Sequence, residues 1–150
     1  MAYWWVFQSE TYAIEKEEGF IWAPLQDKAG KTPFHWSNVK EVKPDDTIFS
    51  CVDQEIKAIG IAKTNAYESK RPDKFTPDKS WMEKGLKVTV EYNELRVPLP
   101  VDSIRKALLG MLPGKYSPLT KKGTGAEGYL FNLQALAGRF LLAKIEELNN

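Results

Sequence analysis

The stretch KPDDTIFSCVDQEIKAIGIA, residues 43–62, decides the fold class because it predicts a β-hairpin. Its opening Lys, Pro and Asp residues are a turn signal, so the first strand covers Thr47–Val52. The second strand covers residues 57–62, and Gly60 inside it indicates a bulge or a close approach to the backbone.

Further strands flank this hairpin on both sides. Residues 3–8 (YWWVFQ) contain five consecutive apolar positions, which predict a strand buried on both faces. Residues 20–23 (FIWA) are a second short apolar run, and residues 86–92 (LKVTVEY) alternate between apolar and polar side chains. The run 129–131 is also strand-like. The polar or glycine-rich segments between these elements predict loops, namely 26–33, 63–79 and 110–128.

Two helices are predicted in the last third of the chain. Residues 101–112 begin with the capping residues Asp102 and Ser103, and residues 133–148 follow Asn132 as a cap. Each has an apolar stripe at helical spacing: Ile104, Leu108, Leu109 and Leu112 in the first, and Leu133, Leu136, Phe140, Leu141, Ile145 and Leu148 in the second. Because βαβ alternation is absent, we predict an α+β fold: a small, mostly antiparallel, curved sheet or barrel with two or three flanking helices.

Length and composition exclude several classes of protein. The 150 residues (17.1 kDa) predict one domain over residues 1–150. A single cysteine, Cys51, excludes an intramolecular disulfide and a cysteine-based zinc site, and a single histidine, His35, excludes a histidine-rich metal centre. No apolar window approaches the ~18 residues that a membrane span needs. We therefore expect a cytoplasmic protein without cofactor, metal or membrane association.

The sequence offers little for catalysis. The acidic residues cluster as Glu15, Glu17 and Glu18 and as Asp45 and Asp46, and such runs are usually solvated faces. The run 123–125 resembles half of a phosphate loop, but it follows no predicted strand and lacks the Gly-Lys-Ser/Thr ending. His35 has no evident orienting partner. We therefore predict a binding module rather than an enzyme.

Aromatic and basic residues are more informative. Five tryptophans are many for such a chain, and Trp22, Trp36 and Trp81 lie at predicted strand–loop junctions. We expect Trp22, next to Ala23 and Pro24, to expose its side chain, although core packing is the commoner role of a single tryptophan. Exposed aromatic faces stack on bases, and lysines hold phosphates. The basic residues that could do so lie in the two long loops: Lys63, Lys70, Arg71, Lys74, Lys79, Lys115, Lys121 and Lys122.

Several segments, taken together in order and spacing, resemble a known family. They include GFIWAP (19–24), VKPDDTIFS (42–50), IKAIGIA (56–62) and KYSPL (115–119), with shorter matches at 3–8, 11–12, 66–67, 70–72 and 85–95. The chain is similar over nearly its whole length to EVE-like members of the PUA superfamily. It is most like the N-terminal sensor domain of bacterial modification-dependent HNH restriction endonucleases.

The resemblance implies a curved, barrel-like sheet and a function in reading modified bases. Related domains flip a modified base out of the duplex into an aromatic pocket. The GFIWAP segment also looks like the YTH segment that supplies a cage tryptophan, so Trp22 is expected in the pocket wall. Residues 8–12, with Ser9, Thr11 and Tyr12, would form the rim, and Ser50 the floor. The opposite wall stays open between Tyr12, Trp36 and Trp81.

The implied partner is double-stranded DNA with modified bases. Modified cytosine is expected, in the 5-methyl, 5-hydroxymethyl or glucosylated hydroxymethyl form. The HNH motif is absent from these residues, so a nuclease domain would be fused or act in trans. RNA binding and N6-methyladenine reading remain alternatives within binding modules, and a protein-interaction scaffold with every tryptophan in the core is a third.

Overall fold

The computed structural model describes residues 1–75 and 82–150. Its strands are β1 (Tyr3–Phe7), β2 (Phe20–Pro24), β3 (Thr47–Val52), β4 (Glu55–Ala62), β5 (Tyr67–Lys70), β6 (Lys84–Pro100) and β7 (Leu130–Leu133). Its α-helices are α1 (Tyr12–Glu18), α2 (Phe34–Ser37), α3 (Arg105–Leu109) and α4 (Ala135–Asn149). Short 3-10 turns at Asn38–Glu41 and Val101–Ser103 follow α2 and precede α3.

The strands in the described part of the chain form one curled sheet in the order β2-β6-β4-β3-β1-β7, with β5 also paired to β6. β1 and β3 are parallel, and the other pairs are antiparallel. β6 is 17 residues long; its first part pairs with β2 and β5 and its later part with β4. This shared strand bends the sheet into a half-barrel. The predicted α+β class and curved, mostly antiparallel sheet are confirmed, and the described residues form four α-helices instead of two or three.

The core lies on both faces of this sheet. Trp5 and Phe49 belong to one buried cluster, which includes residues of α3 and α4, whereas Trp4 and Ile48 belong to a second. Alternate residues of β1 therefore enter different clusters, because successive side chains of a strand point to opposite faces. The prediction that β1 is buried on both faces is confirmed.

The predicted loop over residues 63–79 is wrong in part. β5 lies inside it and pairs with the first part of β6. Its side chains are mostly exposed, so its sequence carries no apolar alternation that would mark a strand. Phe75 in the same segment is only 6% exposed and packs on Phe20 and Trp22. Residues 76–81 lie outside the described residues, and with them Lys79 and Trp81.

The helix predictions require several corrections. α1 and α2 occupy segments where no helix is predicted, and Glu15 of α1, expected on a solvated face, is fully buried. Asp102 lies in a 3-10 turn, and no side chain caps α3, which starts at Arg105. Asn132 belongs to β7 and does not cap α4.

The apolar stripe of α4 is also partly wrong. Leu136 is 58% exposed and Leu148 39% exposed, whereas Ala137 and Gly138 are buried. A Cβ at Gly138 would lie 2.2 Å from the Tyr3 ring, so small residues let α4 approach the sheet closely. Within residues 1–75 and 82–150, none of the helices has the length and apolar character to cross a membrane.

Candidate nucleic-acid interface

An aromatic cavity of about 380 Å³ opens where β1 ends. Its aromatic walls come from β1, β2, α2, the segment after β5 and the segment before β7: Phe7, Trp22, His35, Trp36, Phe75 and Tyr129. Its polar rim is the turn from β1 into α1, formed by Gln8, Ser9, Glu10 and Thr11. The volume falls within the range of small-molecule sites, which are commonly concave and rich in aromatic side chains.

The local backbone explains how these walls converge. Phe7 at the end of β1 donates its N–H to the Tyr129 carbonyl at 2.8 Å, and Tyr12 donates its N–H to the Gln8 carbonyl at 2.8 Å to start α1. Gly19 ends α1 in the left-handed conformation (φ 77°), which favours glycine. The chain then enters β2, and Trp22 reaches the cavity.

Trp22 is a buried wall of the cavity. Its side chain is 2% exposed, its Nε1 donates to the Ser69 carbonyl of β5 at 3.0 Å, and Phe75 packs edge-on with ring centroids 6.0 Å apart. A Cβ at Gly85 of β6 would lie 2.3 Å from Cε2 and Cζ2 of the indole, so only glycine fits beneath the ring. The expectation of an exposed side chain is wrong, because Trp22 lies within β2 and is covered by β5 and Phe75.

Trp36 and His35 of α2 form another wall. Both side chains are half-buried, and their rings meet edge-on with centroids 6.0 Å apart. His35 Nδ1 accepts the Tyr129 backbone N–H at 3.1 Å, so the neutral ring carries its proton on Nε2. Burial lowers the pKa of His35, although the nearby Glu127 carboxylate acts in the opposite direction. The ring is therefore an uncharged donor in the cavity wall.

A buried carboxylate organises the polar side of the cavity. Glu15 Oε1 accepts hydrogen bonds from Gln8 Nε2 at 3.0 Å and from Thr11 Oγ1 at 2.7 Å. Its Oε2 accepts the Trp22 backbone N–H at 3.0 Å and the Tyr129 hydroxyl proton. Glu15 thus links the rim turn, β2 and the segment before β7.

The environment of Glu15 changes its proton affinity. Burial raises the pKa of Glu15 to about 7, although the hydrogen bonds from Tyr129, Thr11, Gln8 and the Trp22 backbone lower it. Burial also raises the pKa of Tyr129 and Tyr92 well above the usual value, and the Glu15 charge adds to this effect. Both phenols consequently stay protonated and act as donors.

The Gln8 amide is fixed by this network. Its Nε2 donates to Glu15 and also to the Tyr92 hydroxyl oxygen at 2.9 Å, while Tyr92 donates to the Phe20 carbonyl at 2.8 Å. With both amide protons used, the orientation of the side chain is set. Among the described residues, Gln8 Oε1 has no hydrogen-bond partner, although the residue is 1% exposed. A buried acceptor without a donor is uncommon in folded proteins.

The structure brings together four of the predicted pocket residues: Ser9, Thr11, Trp22 and Trp36 all line the cavity. Tyr12 and Ser50 are not among its lining residues. The Tyr12 hydroxyl donates to Glu94 at 2.9 Å, and Ser50 is fully buried in β3. Among the candidates for the opposite wall, Trp36 lines the cavity and Trp81 lies outside the described residues.

The predicted basic residues divide into two groups. Three are ion-paired: Lys63 with Glu91 at 4.0 Å, Lys70 with Glu83 at 3.4 Å and Lys74 with Glu18 at 3.3 Å. The residues of the glycine-rich loop are exposed, namely Lys115, Lys121 and Lys122, and Arg71 is half-buried. Exposed pairs of this kind contribute little stability and can exchange partners.

Sequence reasoning missed the residues that hold the site together. Glu15, Phe75 and Tyr129 received no role, and Gln8 entered only as the start of the rim. The Thr11–Glu15 spacing of four residues, directly after a strand, is the signal that could have indicated a helical turn. No group of three or more His, Cys, Asp or Glu side chains could hold a metal ion within residues 1–75 and 82–150.

Comparisons with known proteins identify the fold. No family model matches this sequence, and no curated protein matches it either. The NMR structure of Rpa0253 from Rhodopseudomonas palustris is 17% identical with a TM-score of 0.59, over 100% of this chain and 96% of that one. The MmI1 YTH domain is 12% identical with a TM-score of 0.63, over 99% and 97%.

A third structure carries a ligand in its description. The YTH domain of Zygosaccharomyces rouxii MRB1, in complex with N6-methyladenosine RNA, is 10% identical with a TM-score of 0.56, over 96% of this chain and 86% of that one. At such identities the likeness shows the fold alone. This chain has the fold of YTH domains.

Proposed function

We propose that this chain is a binding module that reads a modified base in double-stranded DNA, flipped out of the duplex into the aromatic cavity. The observation that carries the proposal is a cavity of about 380 Å³ with tryptophan walls and a buried polar network behind its rim. Proteins that extrude a base hold it between aromatic side chains and read its Watson–Crick edge.

The energetics support base flipping. Extrusion costs a few kcal/mol of pairing and stacking. Stacking on one aromatic side chain is worth about 1–3 kcal/mol per base, and the half-buried ring of Trp36 lines the cavity. The stacking therefore offsets the cost of extrusion, and hydrogen bonds then select the base.

The available polar groups favour a base with an exocyclic amino group. Gln8 Oε1 is an acceptor without a partner among the described residues, and His35 Nε2 is a donor. Cytosine presents an amino donor beside two acceptors, N3 and O2, whereas thymine has a carbonyl acceptor in place of the amino group and a donor at N3. A substituent on C5 leaves this edge unchanged, so the 5-methyl, 5-hydroxymethyl and glucosylated forms of cytosine all suit the proposal.

Cleavage would then belong to another domain. As the specificity domain of a modification-dependent restriction system, this chain would deliver a nuclease, fused or in trans, to modified DNA. Phosphate contacts would come from the glycine-rich loop, whose lysines are exposed, and from the ion-paired lysines after exchange of partners.

RNA is the second candidate ligand. The MRB1 YTH domain, which shares this fold, is solved in complex with N6-methyladenosine RNA. Singly methylated N6 retains one proton, so it can still donate to an acceptor such as Gln8 Oε1. The same cavity therefore suits a reader of N6-methyladenine.

A binding panel tests these ligands directly. The chain is titrated with otherwise identical duplexes that carry cytosine, each of the three modified cytosines or N6-methyladenine, and with RNA that carries N6-methyladenosine. We expect one modified-cytosine duplex to bind tightest. Trp36→Ala should remove the preference, whereas Phe140→Ala, a half-buried aromatic of α4 outside the cavity, should keep it. Equal binding of every duplex would overturn the proposal, and a preference for the RNA would favour the second candidate.

A further inference from the structure

A second cavity of about 460 Å³ lies beside the aromatic cavity. The two share Phe7 and Ser9, which line both. Ser9 Oγ also accepts the Asp53 backbone N–H at 3.1 Å, which ties the shared rim to the turn between β3 and β4. The two cavities are therefore adjacent along the end of β1.

The second cavity has hydrogen-bonding capacity that the fold does not use. Trp5 lines it, and the Trp5 Nε1 donor is buried without an acceptor among the described residues. Arg105 also lines it; Nε of Arg105 donates to the Gly123 carbonyl at 2.7 Å, and the guanidinium contacts Asp102. The Arg105 side chain is 30% exposed, so further donors of its guanidinium remain accessible.

Acceptors face the same space. Asp53 and Gln54 of the β3–β4 turn line the cavity and are exposed. The Asp53 carboxylate opposes the charge of Arg105, so the cavity is poorly suited to a phosphate group. A planar ligand with donors and acceptors on one edge and an apolar face suits it better, because Phe7, Trp5 and Ala126 supply apolar wall. A nucleobase has these properties, and the volume exceeds that of the aromatic cavity.

We propose that the second cavity binds the base next to the modified base on the same strand, so that the chain reads a dinucleotide. This inference rests on the proposed function, since the aromatic cavity must hold the first base. Successive nucleotides rise by 3.4 Å per strand, and splayed neighbours span more. Two cavities that share Phe7 and Ser9 can accommodate neighbouring bases of one strand. The modification is selected in one cavity and its sequence context in the other.

Filling the second cavity tests the proposal. Ala126→Leu adds a side chain to the half-buried wall, and Ala135→Leu adds the same atoms at an exposed position of α4 as the matched control. Binding is measured on a duplex library in which the bases on both sides of the modified base vary. For the wild-type chain we expect the best and worst contexts to differ about tenfold, the scale of one base contact.

Ala126→Leu should reduce that difference to less than about twofold and leave the ratio of modified to unmodified binding unchanged. Ala135→Leu should match the wild type both in its context preference and in its ratio of modified to unmodified binding. A wild-type chain that ignores context, or an Ala126→Leu chain that keeps the full context preference, would refute the second site. If context preference responds to Ala126→Leu but no modified base binds better than its unmodified form, the second site stands and the proposed function fails.

A variant that removes the charge of Arg105 tests the second cavity independently of the Ala126→Leu variant. Arg105→Gln removes the guanidinium, and Arg139→Gln removes a charge from the exposed face of α4. We expect Arg105→Gln to change which neighbouring base is preferred and Arg139→Gln to lower the affinity for all contexts equally, if at all. The thermal midpoint of each variant shows that it is folded. If a folded Arg105→Gln chain ranks the neighbouring bases in the same order as the wild type, Arg105 does not contact the neighbouring base.

Discussion

The Tyr129 hydroxyl donates a hydrogen bond to Oε2 of Glu15, a residue 114 positions earlier in the chain. The same carboxylate oxygen accepts the Trp22 backbone N–H. Two walls of the aromatic cavity therefore meet at one buried group. The stability of the domain and the shape of the cavity depend on the same contacts. Effects on stability and effects on binding can therefore be distinguished only when unfolding and binding are measured on the same variant.

Tyr129→Phe removes this donor without removing the ring. We expect the free energy of unfolding to fall by about 1–3 kcal/mol, the cost of leaving a buried charged acceptor short of a hydrogen bond. Denaturant titration gives the value. Tyr116→Phe is the matched control, since Tyr116 is 67% exposed, and it should stay within about 0.5 kcal/mol of the wild type. Equal stability of both variants would show that the Tyr129 hydroxyl contributes nothing.

Glu15 should make stability depend on pH. Its pKa is raised to about 7 in the folded chain from the ordinary 4.5, so the folded state binds more protons than the unfolded state between these values. The Glu15 contribution is fully present below about pH 4.5 and is lost as the pH rises through about 7. Unfolding titrations from pH 5 to 8 measure it.

Glu15→Gln is the reference for that experiment. It should lower stability overall, because an amide cannot accept all four hydrogen bonds, but it should remove the Glu15 part of the pH dependence. The lowered pKa of His35 acts with the opposite sign, destabilising the fold as the pH falls, and is present in both chains. A wild-type and a Gln variant with parallel pH profiles would contradict a raised pKa at Glu15.

Trp22 and Trp36 should respond differently to truncation. Trp22→Ala removes a side chain that is 2% exposed, so we expect a loss of about 3–5 kcal/mol of stability. Trp36→Ala removes a half-buried ring and should cost about 1–3 kcal/mol of binding to modified DNA with a smaller loss of stability.

Measuring the denaturation midpoint and the binding constant on one preparation of each variant separates the two roles. A Trp22→Ala chain that is as stable as the wild type would mean that its burial does not support the fold. A stable Trp36→Ala chain with full preference for modified DNA would remove Trp36 from the base site.

Salt dependence reports the phosphate contacts. Lys121 and Lys122 are exposed in the glycine-rich loop, so Lys121→Gln/Lys122→Gln should weaken binding to modified and unmodified duplexes alike. The slope of log affinity against log salt should become shallower by about 2. Arg139→Gln/Lys144→Gln on α4 removes the same charge and should leave the slope unchanged. Equal slopes for all three chains would exclude this loop from the DNA contact.

The sequence predicts those strands whose own composition marks them. β1, β2, β3 and β4 are short runs of apolar residues with β-branched or aromatic side chains, and their predicted bounds lie within a few residues of the observed ones. β5 is an edge strand with exposed side chains, and α1 carries three acidic residues that indicate a solvated surface. Their positions depend on pairing with β6 and on burial of Glu15, which only the tertiary structure supplies.

The residues of the candidate site also fall into those that the sequence marks and those that only the tertiary structure places. Trp22 and the rim residues Ser9 and Thr11 follow from the family resemblance, and Trp36 from its position between loops. The sequence does not predict the Glu15 network, because its hydrogen-bond donors come from segments far apart in the chain, such as Tyr129. Phe75 is one apolar residue in a polar stretch, so no periodicity marks it as part of a wall.

The absence of a side chain at Gly85 has a consequence for how new specificities could arise in this cavity. A Cβ at position 85 would lie 2.3 Å from the Trp22 ring and 2.5 Å from the Ala23 carbonyl oxygen, so position 85 can gain a side chain only if both the ring and the β2 backbone move. Trp36, by contrast, stands on the four-residue helix α2 and is half-buried. A mutant library aimed at other modified bases should therefore keep glycine at position 85 and randomise position 36.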